Sequence, residues 1–425
     1  MDSLSKAIIP NLELKSVTGG IDDSFVGLKY DGNIVQVFYP ECFSLSNDLP
    51  TLRTDILALL RTIPLAKKVS SKRSRAFNTQ NDGGDFALFS YLWVINDYLA
   101  NGFYINREKV HKINQNGKIN WKKTMRSEPF VSENGIYFPN VTVEKKSNVD
   151  NILVEVHRLC VKKSIDYIGW LFNLNSDNIA IPRLTESVKK EYVNAVQQEL
   201  NHTFLDSKRL LLNHMKNILN GLDERSNNKE FVYGVDSYHF IFEKMIDYIF
   251  CKFNSISDFY PSAKWQLVRN GFAEHESSKL RPDTIIIKEN EGQQIAFVLD
   301  SKFYRFGYTG NEEDLPETTS IQKQITYGDF LKTNTKYPVD RIYSAFLMPY
   351  DKARDVFRSD DDIQYIGFAK STWKDNDKSH ELIHAFLIDL KHVIHNWNSI
   401  NHIDDVSSLI KMVVEKQRTA KEKLT

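Results

Sequence analysis

Two short apolar runs near residue 290 each lie next to a carboxylic acid, and this pairing constrains the fold more than any other feature. The run 284–287 follows Asp283 directly, and the run 295–299 leads straight into Asp300, with Lys302 two residues later. Short apolar runs of this kind predict buried strands. Charged groups at the ends of buried strands are costly unless they pair with each other or bind a metal ion. The three charged residues therefore mark a candidate site.

The spacing predicts how the charged side chains are arranged. A turn at 289–293 joins the two runs into a hairpin, so Asp283 and Asp300 come to the same end of the strand pair. Side chains alternate across a strand, which places Asp300 and Lys302 on one face and points Ser301 away from it. Two carboxylates with room for water suit Mg²⁺, which prefers hard oxygen ligands. The same pattern also allows a surface hairpin that ends in a salt bridge.

The chemistry of a metal site at this position follows from its groups. A bound metal ion lowers the pKa of a water molecule and stabilises charge on a phosphate. Lys302 can position that water or deprotonate it, because desolvation near other cations lowers the pKa of a lysine.

Two further polar residues lie on predicted helices near the hairpin. The helix 320–332 places Gln324 among its apolar residues, so the amide needs a polar partner in the interior. Either an active site or a backbone carbonyl would supply that partner. Glu243 lies at the edge of the apolar stripe of the helix 237–250, where it either reaches an adjacent site or forms a solvated flank.

The order of the predicted elements indicates an α/β protein with a mixed sheet covered by helices. Residues 26–40 predict a hairpin around a tight turn at 31–33. Residues 67–85 are basic and aperiodic, which predicts a mobile loop. This loop either contacts DNA phosphates non-specifically or is a disordered surface loop. The polar stretch 221–230 predicts a domain boundary. Elements predicted elsewhere are helices at 49–63, 86–99, 149–172, 183–220, 237–250, 319–333, 380–397 and 403–418, and strands at 283–290, 294–301, 341–350 and 363–372.

Composition narrows the class of protein. The 425 residues predict two or three domains, and contents of 41% hydrophobic and 12% aromatic residues suit a folded globular protein. The formal net charge is zero, so any contact with nucleic acid must use local basic patches. The three cysteines form no CxxC pair, which favours a reducing compartment. Because we find no signal-peptide core and no apolar run long enough for a bilayer, we expect a cytoplasmic protein without a membrane partner.

The charged hairpin, with its flanking helices, resembles the PD-(D/E)xK nuclease superfamily. The residues that carry this resemblance are Arg281-Pro282-Asp283, Asp300-Ser301-Lys302, Glu243 and Gln324. Other segments are similar in order and spacing to the LlaJI-type restriction endonucleases, namely GKINWKKTM (117–125), YGVDSYHFIFEKM (233–245), SIQKQITYGDFL (320–331) and AFLMPY (345–350). The resemblance covers roughly residues 100–415. It extends to McrC-like subunits, which cut DNA when a separate nucleotide-hydrolysing partner drives them.

The resemblance implies an αβββαβ catalytic core with a mixed sheet at the C-terminal end, preceded by a mixed α/β, largely helical region. It implies Mg²⁺-dependent cleavage of DNA, with Mn²⁺ able to substitute. Asp300 occupies a motif position where Glu is commoner, which the pattern allows. The metal ligands would be Asp283, Asp300 and Ser301. The residues to which the resemblance assigns catalytic roles are Asp283, Asp300, Lys302, and the auxiliary Glu243 and Gln324.

Basic residues upstream predict a surface for DNA. After a strand at 101–105, residues 117–125 predict a basic helix and residues 133–139 a hairpin, an order that favours a winged-helix-like reader. The alternative is a solvated helix face with Trp121 in the core. Arg305 either touches the scissile phosphate or pairs with Glu312 or Glu313. The candidate DNA-binding residues are Lys118, Lys122, Lys123, Arg126 and Arg305.

Other catalytic motifs are weak or missing in the sequence. The predicted helix 380–397 carries four histidines, which form either a metal site or, more simply, a wet helix flank. They are His380, His384, His392 and His395. The segment HNWNSINH (395–402) superficially resembles an HNH nuclease but lacks the expected strand context. No GxxxxGK[ST] or GxSxG motif occurs, so we do not expect this chain to hydrolyse ATP or GTP itself.

Together with these observations, the resemblance implies a type II-like restriction endodeoxyribonuclease, a Mg²⁺-dependent enzyme of an anti-phage restriction system that acts on double-stranded DNA. We expect an N-terminal DNA- or partner-binding region at 1–148, a helical connecting region at 149–225 and the nuclease domain at 226–425. A partner AAA+ GTPase or ATPase is expected. The alternatives are a stand-alone homodimer, a non-catalytic binding subunit on a nuclease-like fold, and a nuclease of repair or transposition.

Overall fold

The computed structural model describes most of the chain in twelve stretches. They are residues 11–18, 24–31, 33–66, 84–105, 107–148, 152–222, 231–250, 257–268, 273–290, 292–334, 336–399 and 403–424. The predicted loop at 67–85 lies largely outside them, as do Cys251 and the boundary stretch 223–230. Within these ranges, no helix is both long enough and apolar enough to cross a bilayer.

The described residues form eleven α-helices and sixteen strands. The α-helices are α1 Leu49–Thr62, α2 Gly84–Asn101, α3 Trp121–Thr124, α4 Ile152–Ile168, α5 Glu186–His202, α6 Asp206–Gly221, α7 Tyr238–Phe250, α8 Phe306–Thr309, α9 Thr318–Lys332, α10 Leu390–Asn396 and α11 Ile403–Leu424. The strands are β1 Asn11–Val17, β2 Val26–Tyr30, β3 Ile34–Pro40, β4 Arg107–Ile113, β5 Lys118–Ile119, β6 Phe130–Ser132, β7 Gly135–Tyr137, β8 Thr142–Asn148, β9 Phe231–Val235, β10 Lys264–Leu267, β11 Ala273–Glu276, β12 Thr284–Asn290, β13 Gln293–Ser301, β14 Arg341–Tyr350, β15 Ile363–Lys370 and β16 Leu382–Asp389.

The chain divides into two compact units that do not follow its linear order. One unit contains residues 1–11, 30–34 and 79–231, and the other contains residues 12–29, 35–78 and 232–425. An N-terminal stretch therefore packs with the C-terminal half. This grouping cuts across the predicted regions 1–148, 149–225 and 226–425, whose proposed roles it does not address.

The C-terminal unit is built on a five-stranded mixed sheet in the order β12-β13-β14-β16-β15. The two edge pairs, β12 with β13 and β15 with β16, are antiparallel, whereas β13, β14 and β16 run parallel. Helix α9 lies between β13 and β14 in the chain, as a parallel crossover requires. The α/β class predicted from the sequence is confirmed.

The centre of this sheet is apolar because its strands are covered on both faces. Nine of the ten residues of β14 are buried. Helix α9 packs Tyr327 and Leu331 against Ala296 and Val298 of β13. Each large side chain buried in this way contributes about 1.5–3 kcal/mol relative to leaving it in water. This packing holds α9 against β13.

The predicted helix at 380–397 is wrong over its first half. Residues 382–389 form β16, an inner strand, and the helix α10 begins only at Leu390. The segment LIHAFLID is almost entirely buried, and a continuous apolar run does not distinguish a buried strand from a buried helix. The four histidines therefore do not share one helix. Pairing with β14 on one side and β15 on the other decides the conformation.

A second, four-stranded sheet has the order β1-β3-β2-β9. It contains the predicted hairpin of residues 26–40, whose turn is supported by hydrogen bonds from the amides of Asn33 and Ile34 to Asp31. Gly27 has a positive φ of 150°, and a side chain there would collide with the carbonyl oxygen of Tyr233. Glycine therefore permits the close approach of β9 to β2.

A buried ionic cluster ties helix α1 to helix α10 within the C-terminal unit. Asp55 is 1% exposed and accepts hydrogen bonds from Lys391 at 2.6 Å and from His395 at 3.1 Å. The amide and hydroxyl of Ser46 complete its coordination. His395, predicted on a wet helix flank, thus pairs with a buried acid.

The other unit consists of helices α2, α4, α5 and α6 and a small sheet. The sheet has the order β4-β8-β5, and β6 and β7 form a separate hairpin. The predicted hairpin at 133–139 is present at β6–β7, but the strand predicted at 101–105 starts later, at Arg107. The predicted basic helix at 117–125 is a single turn, because Lys118 and Ile119 pair with β8 and Asn120 caps α3.

Candidate functional site

The predicted hairpin brings its two acids to the same end of the sheet. Thr284 pairs with Leu299, so Asp283 and Asp300 are the next positions across the strand pair. The backbone amide of Ser301 donates a 3.0 Å hydrogen bond to Asp283 Oδ2. This bond fastens the start of β12 to the end of β13 and holds the two carboxylates in place.

Lys302 joins the two acids. Its Nζ atom lies 2.9 Å from Asp300 Oδ1 and 3.8 Å from Asp283 Oδ2. Burial lowers the pKa of Lys302, but the charges of Asp300 and Asp283 outweigh it and leave the pKa above its ordinary value. We expected a lowered pKa for this lysine; in this geometry the side chain is an ammonium ion paired with both acids.

The surroundings of Asp283 disfavour its ionised form. Burial raises the pKa of Asp283 well above its ordinary value, and the neighbouring charge of Asp300 raises it further, although Lys302 opposes both effects. The site therefore concentrates more negative charge than one lysine neutralises. An added cation would relieve this excess.

Glu243 of α7 faces the same cluster. Burial raises the pKa of Glu243 to about 7, while Lys302 lowers it and Asp300 and Asp247 raise it. Asp247, one helical turn later, accepts a 2.6 Å hydrogen bond from the hydroxyl of Thr284. That bond connects α7 to the strand that begins next to Asp283. Glu243 is thus a half-buried group whose pKa depends on the charges of Asp300 and Lys302.

Gln324 is fully buried on α9, as its helical spacing predicts. Neither its amide nitrogen nor its amide oxygen has a hydrogen-bond partner among the described residues. Three residues later, Tyr327 lies near both acids: burial raises the pKa of Tyr327 to about 12, and Asp300 and Asp283 raise it further. Helix α9 therefore carries one polar side chain near the acids, Tyr327, and one buried amide without a partner among the described residues, Gln324.

Ser301 and Arg305 contribute less than their positions in the sequence predict. The Ser301 hydroxyl is buried without a partner among the described residues, and strand alternation turns it away from the face of Asp300. Only the backbone of Ser301 faces the acids. Arg305 is exposed, and it forms no ion pair with Glu312 or Glu313 in the structure described.

A cavity of about 120 Å³ adjoins the cluster. Its walls include His239, Asp236 and Phe303, the residue after Lys302. Removal from water lowers the pKa of His239, and the charge of Lys302 lowers it further. His239 lies four residues before Glu243, so both side chains project from the same side of α7.

A second group of potential metal ligands already has its counter-charges. Asp329, His380 and Glu381 offer oxygen and nitrogen atoms within 4.8 Å of one another. Lys374 reaches Asp329 at 2.6 Å and Glu381 at 3.5 Å, and Lys378 reaches both acids as well. Two ammonium groups thus occupy the place that a cation would take.

The predicted basic surface is exposed. Trp121 is 57% exposed, so the alternative that places Trp121 in the core is wrong. The one-turn helix α3 is too short for the predicted winged-helix-like reader, because a recognition helix must reach along a groove. Within the described residues, none of the four basic side chains forms an ion pair; they are Lys118, Lys122, Lys123 and Arg126.

The sequence reasoning missed three residues of this environment. Asp247 and His239 lie four residues on either side of Glu243, and Tyr327 lies three residues after Gln324. Residues at these spacings share a helix face, so a search from each predicted auxiliary residue would have found them.

The donor set fits a divalent metal ion. Two carboxylates converge, a third lies close by, and burial together with the charge of Asp300 raises the pKa of Asp283. Oxygen donors of this kind are those that Mg²⁺ and Mn²⁺ accept.

This chain is similar to chains in two solved assemblies. A refined half-complex from the tetradecameric assembly of Thermococcus gammatolerans McrB AAA+ hexamers with bound McrC contains a similar chain, with 13% identity and a TM-score of 0.39 over 91% of this chain and 83% of that chain. The Thermococcus gammatolerans McrBC complex matches with 14% identity and a TM-score of 0.25 over 55% and 69%. No curated protein matches the sequence significantly. The description of the LlaJI restriction endonuclease family matches residues 25–390. The chain therefore belongs to the LlaJI restriction endonuclease family.

Proposed function

We propose that this protein is a metal-dependent DNA endonuclease of a restriction system and that its C-terminal unit carries a PD-(D/E)xK catalytic core. The observation that carries the proposal is the cluster of Asp283, Asp300 and Lys302 at one end of the central sheet, in a member of a restriction endonuclease family. A structural scaffold gains nothing from burying Asp283 beside Asp300, where burial and the charge of Asp300 raise the pKa of Asp283. Their proximity costs stability, which a binding or catalytic role explains.

Each residue has a role that follows from its position. Asp283 and Asp300 would hold Mg²⁺ or Mn²⁺, together with the backbone carbonyl oxygen of Ser301. Such an ion supplies Lewis acidity and a more acidic water molecule. Lys302, as an ammonium ion, orients the attacking water and stabilises negative charge on the scissile phosphate. Glu243 is the auxiliary acid.

In this proposal, helix α9 contributes two polar side chains next to the acids, Gln324 and Tyr327. The buried amide of Gln324 has both of its polar atoms available. A buried amide without partners costs about 1–3 kcal/mol, which a bound substrate or an ordered water would recover. We propose that Gln324 orients the acids or the water between them. Arg305, exposed just beyond the site, would contact the DNA backbone.

The exposed basic residues near α3 are the proposed contact for DNA or for a partner subunit. Lys122, Lys123 and Arg126 are free of ion pairs among the described residues. The chain has no phosphate-binding loop for a nucleotide and no net charge to attract DNA from a distance. We propose that an AAA+ GTPase or ATPase subunit activates it, because the sequence also resembles McrC-like subunits.

A plasmid cleavage assay tests this function. Purified full-length protein is incubated with methylated or unmethylated plasmid and Mg²⁺, with and without the neighbouring motor protein and its nucleotide. We expect cleavage only when the motor and nucleotide are present, and none in EDTA. Efficient site-specific cutting by the protein alone would favour a stand-alone homodimer. Absence of cutting under every condition, by protein that binds DNA, would favour a non-catalytic subunit.

A further inference from the structure

A second polar cavity lies at the other end of the central sheet. It has a volume of about 380 Å³ and is lined by Arg341, Tyr343, Ser379, Val414, Gln417 and Arg418. Arg341 begins β14 and pairs with Ile295, whereas Asp300 pairs with Phe346. Five residues of strand therefore separate the cavity from the candidate nuclease site, a distance of about 16 Å at the usual rise per residue.

The cavity also lies on the opposite face of the sheet. Ile342 and Phe346 pack on the side of α9, together with Val298 and Ile325. Side chains alternate along β14, so Arg341 and Tyr343 point to the other side, where α11 supplies the remaining wall. The cavity is therefore separate from the cluster around Asp300.

Gln417 lines this cavity and carries a buried amide. It is 5% exposed, and its Oε1 atom is 2.6 Å from Nε2 of the fully buried His384. Burial lowers the pKa of His384, so the ring is neutral, and Nδ1 lies 3.4 Å from the hydroxyl of Tyr365. With Nε2–H donating to Gln417 Oε1, the amide nitrogen of Gln417 is left buried, and it has no partner among the described residues.

The two arginines of the cavity are donors as well. Arg341 and Arg418 are exposed and form no ion pair within the part of the chain that is described. Ser379 uses its hydroxyl proton on the carbonyl oxygen of Ile342. The lining contains no carboxylate, and the nearby Glu381 is paired with Lys374 and Lys378.

A cavity that offers two guanidinium groups and an unpartnered amide nitrogen is matched by a ligand rich in acceptors. Arginine binds phosphate through paired, charge-assisted hydrogen bonds. A volume of about 380 Å³ falls within the range of small-molecule sites. We propose that this cavity binds a small phosphate-bearing molecule, held by Arg341, Arg418 and the amide nitrogen of Gln417. This site is independent of the proposed nuclease activity.

Isothermal titration of the full-length protein with inorganic pyrophosphate tests the proposal. The buffer contains EDTA, so that no metal ion carries pyrophosphate to the acids of the hairpin. We expect Arg341→Gln and Arg418→Gln each to weaken binding at least about tenfold, because each removes a charge-assisted contact. Gln417→Glu keeps an acceptor for His384 but places a negative charge in the cavity, so we expect it to abolish binding.

Arg358→Gln is the matched control, because Arg358 is exposed in the same unit and lies outside the cavity. It should leave pyrophosphate binding unchanged, and thermal melting should show that all four variants fold. Failure of the wild-type protein to bind pyrophosphate at millimolar concentration overturns the proposal, as does an equal loss in Arg358→Gln. A short DNA duplex is titrated in parallel. If the cavity variants weaken only duplex binding, the arginines track DNA and the small-ligand site is refuted.

Discussion

The hydroxyl of Thr284 donates a 2.6 Å hydrogen bond to Oδ1 of Asp247. This contact joins helix α7, which carries Glu243, to the strand that follows Asp283. Lys244 pairs with the other carboxylate oxygen of Asp247 at 2.7 Å. The helix and the hairpin are therefore held in register next to the candidate site.

Thr284→Val should lower the free energy of unfolding by about 1–3 kcal/mol, because it removes a hydrogen bond to a charged group in a buried setting. Urea denaturation measures the change. Thr326→Val is the control, since Thr326 bonds only to a carbonyl of its own helix. If both variants lose the same stability, the contact between Thr284 and Asp247 has no special role.

Glu243→Gln should change stability in a pH-dependent way. The folded-state pKa of Glu243 is about 7, mainly through burial, against an ordinary value of 4.5. A carboxyl group whose pKa is raised in the folded state makes the protein less stable as the pH rises from 4.5 through 7. The reason is that the group ionises less readily in the folded protein than in the unfolded one. In metal-free buffer, the glutamine variant should exceed the wild type by up to about 3 kcal/mol near pH 8.

Near pH 4.5 the advantage of Glu243→Gln should vanish. Glu289→Gln, at an exposed position of strand β12, is the control for the loss of a carboxyl group outside the site. A variant that is less stable than the wild type at both pH values would mean that the Glu243 carboxylate is favourable where it lies.

Mg²⁺ should stabilise the wild-type protein against heat through Asp283 and Asp300. A ligand at a hundred times its Kd adds about 2.7 kcal/mol to the free energy of unfolding. Asp300→Asn should lose most of this increment, because it removes one carboxylate without changing the size of the side chain. Asp258→Asn, which breaks only an exposed pair with Lys336, should keep it. Equal stabilisation of both variants would place the metal ion elsewhere.

Replacing Lys123 and Arg126 with alanine should weaken DNA binding and reduce its salt dependence. Each lost phosphate contact lowers the slope of log K against log salt by about 0.9. Fluorescence anisotropy at several salt concentrations measures both quantities. The control replaces Arg183 and Lys190, two exposed basic residues of the same unit. If the two double variants have the same slope, the surface near α3 does not contact DNA.

The acids and their hairpin could be predicted from the sequence because the information is local. Two apolar runs, a short turn and strand alternation determine that Asp283, Asp300 and Lys302 converge, and the register of β12 and β13 confirms it. The burial of Gln324 follows from helical spacing in the same way. No long-range information was required for either inference.

The remaining features depend on contacts between distant segments. The inner strand β16 was predicted as a helix because its burial comes from β14 and β15, which periodicity does not report. The bond from Thr284 to Asp247 and the pairing of Asp55 with Lys391 join residues far apart in the chain. Such pairs are visible only once the fold is known.

The rate of plasmid cleavage by Lys302→Gln decides whether the cluster around Asp283 and Asp300 is the catalytic site. The substitution keeps a polar side chain of similar length but removes the ammonium group that lies 2.9 Å from Asp300. Cleavage is measured with Mg²⁺ and the motor partner, and Mg²⁺-dependent melting is measured on the same samples. We expect a loss of at least about a hundredfold in cleavage rate while Mg²⁺ still stabilises the variant. Cleavage at the wild-type rate would show that the cluster of Asp283, Asp300 and Lys302 is not the catalytic site.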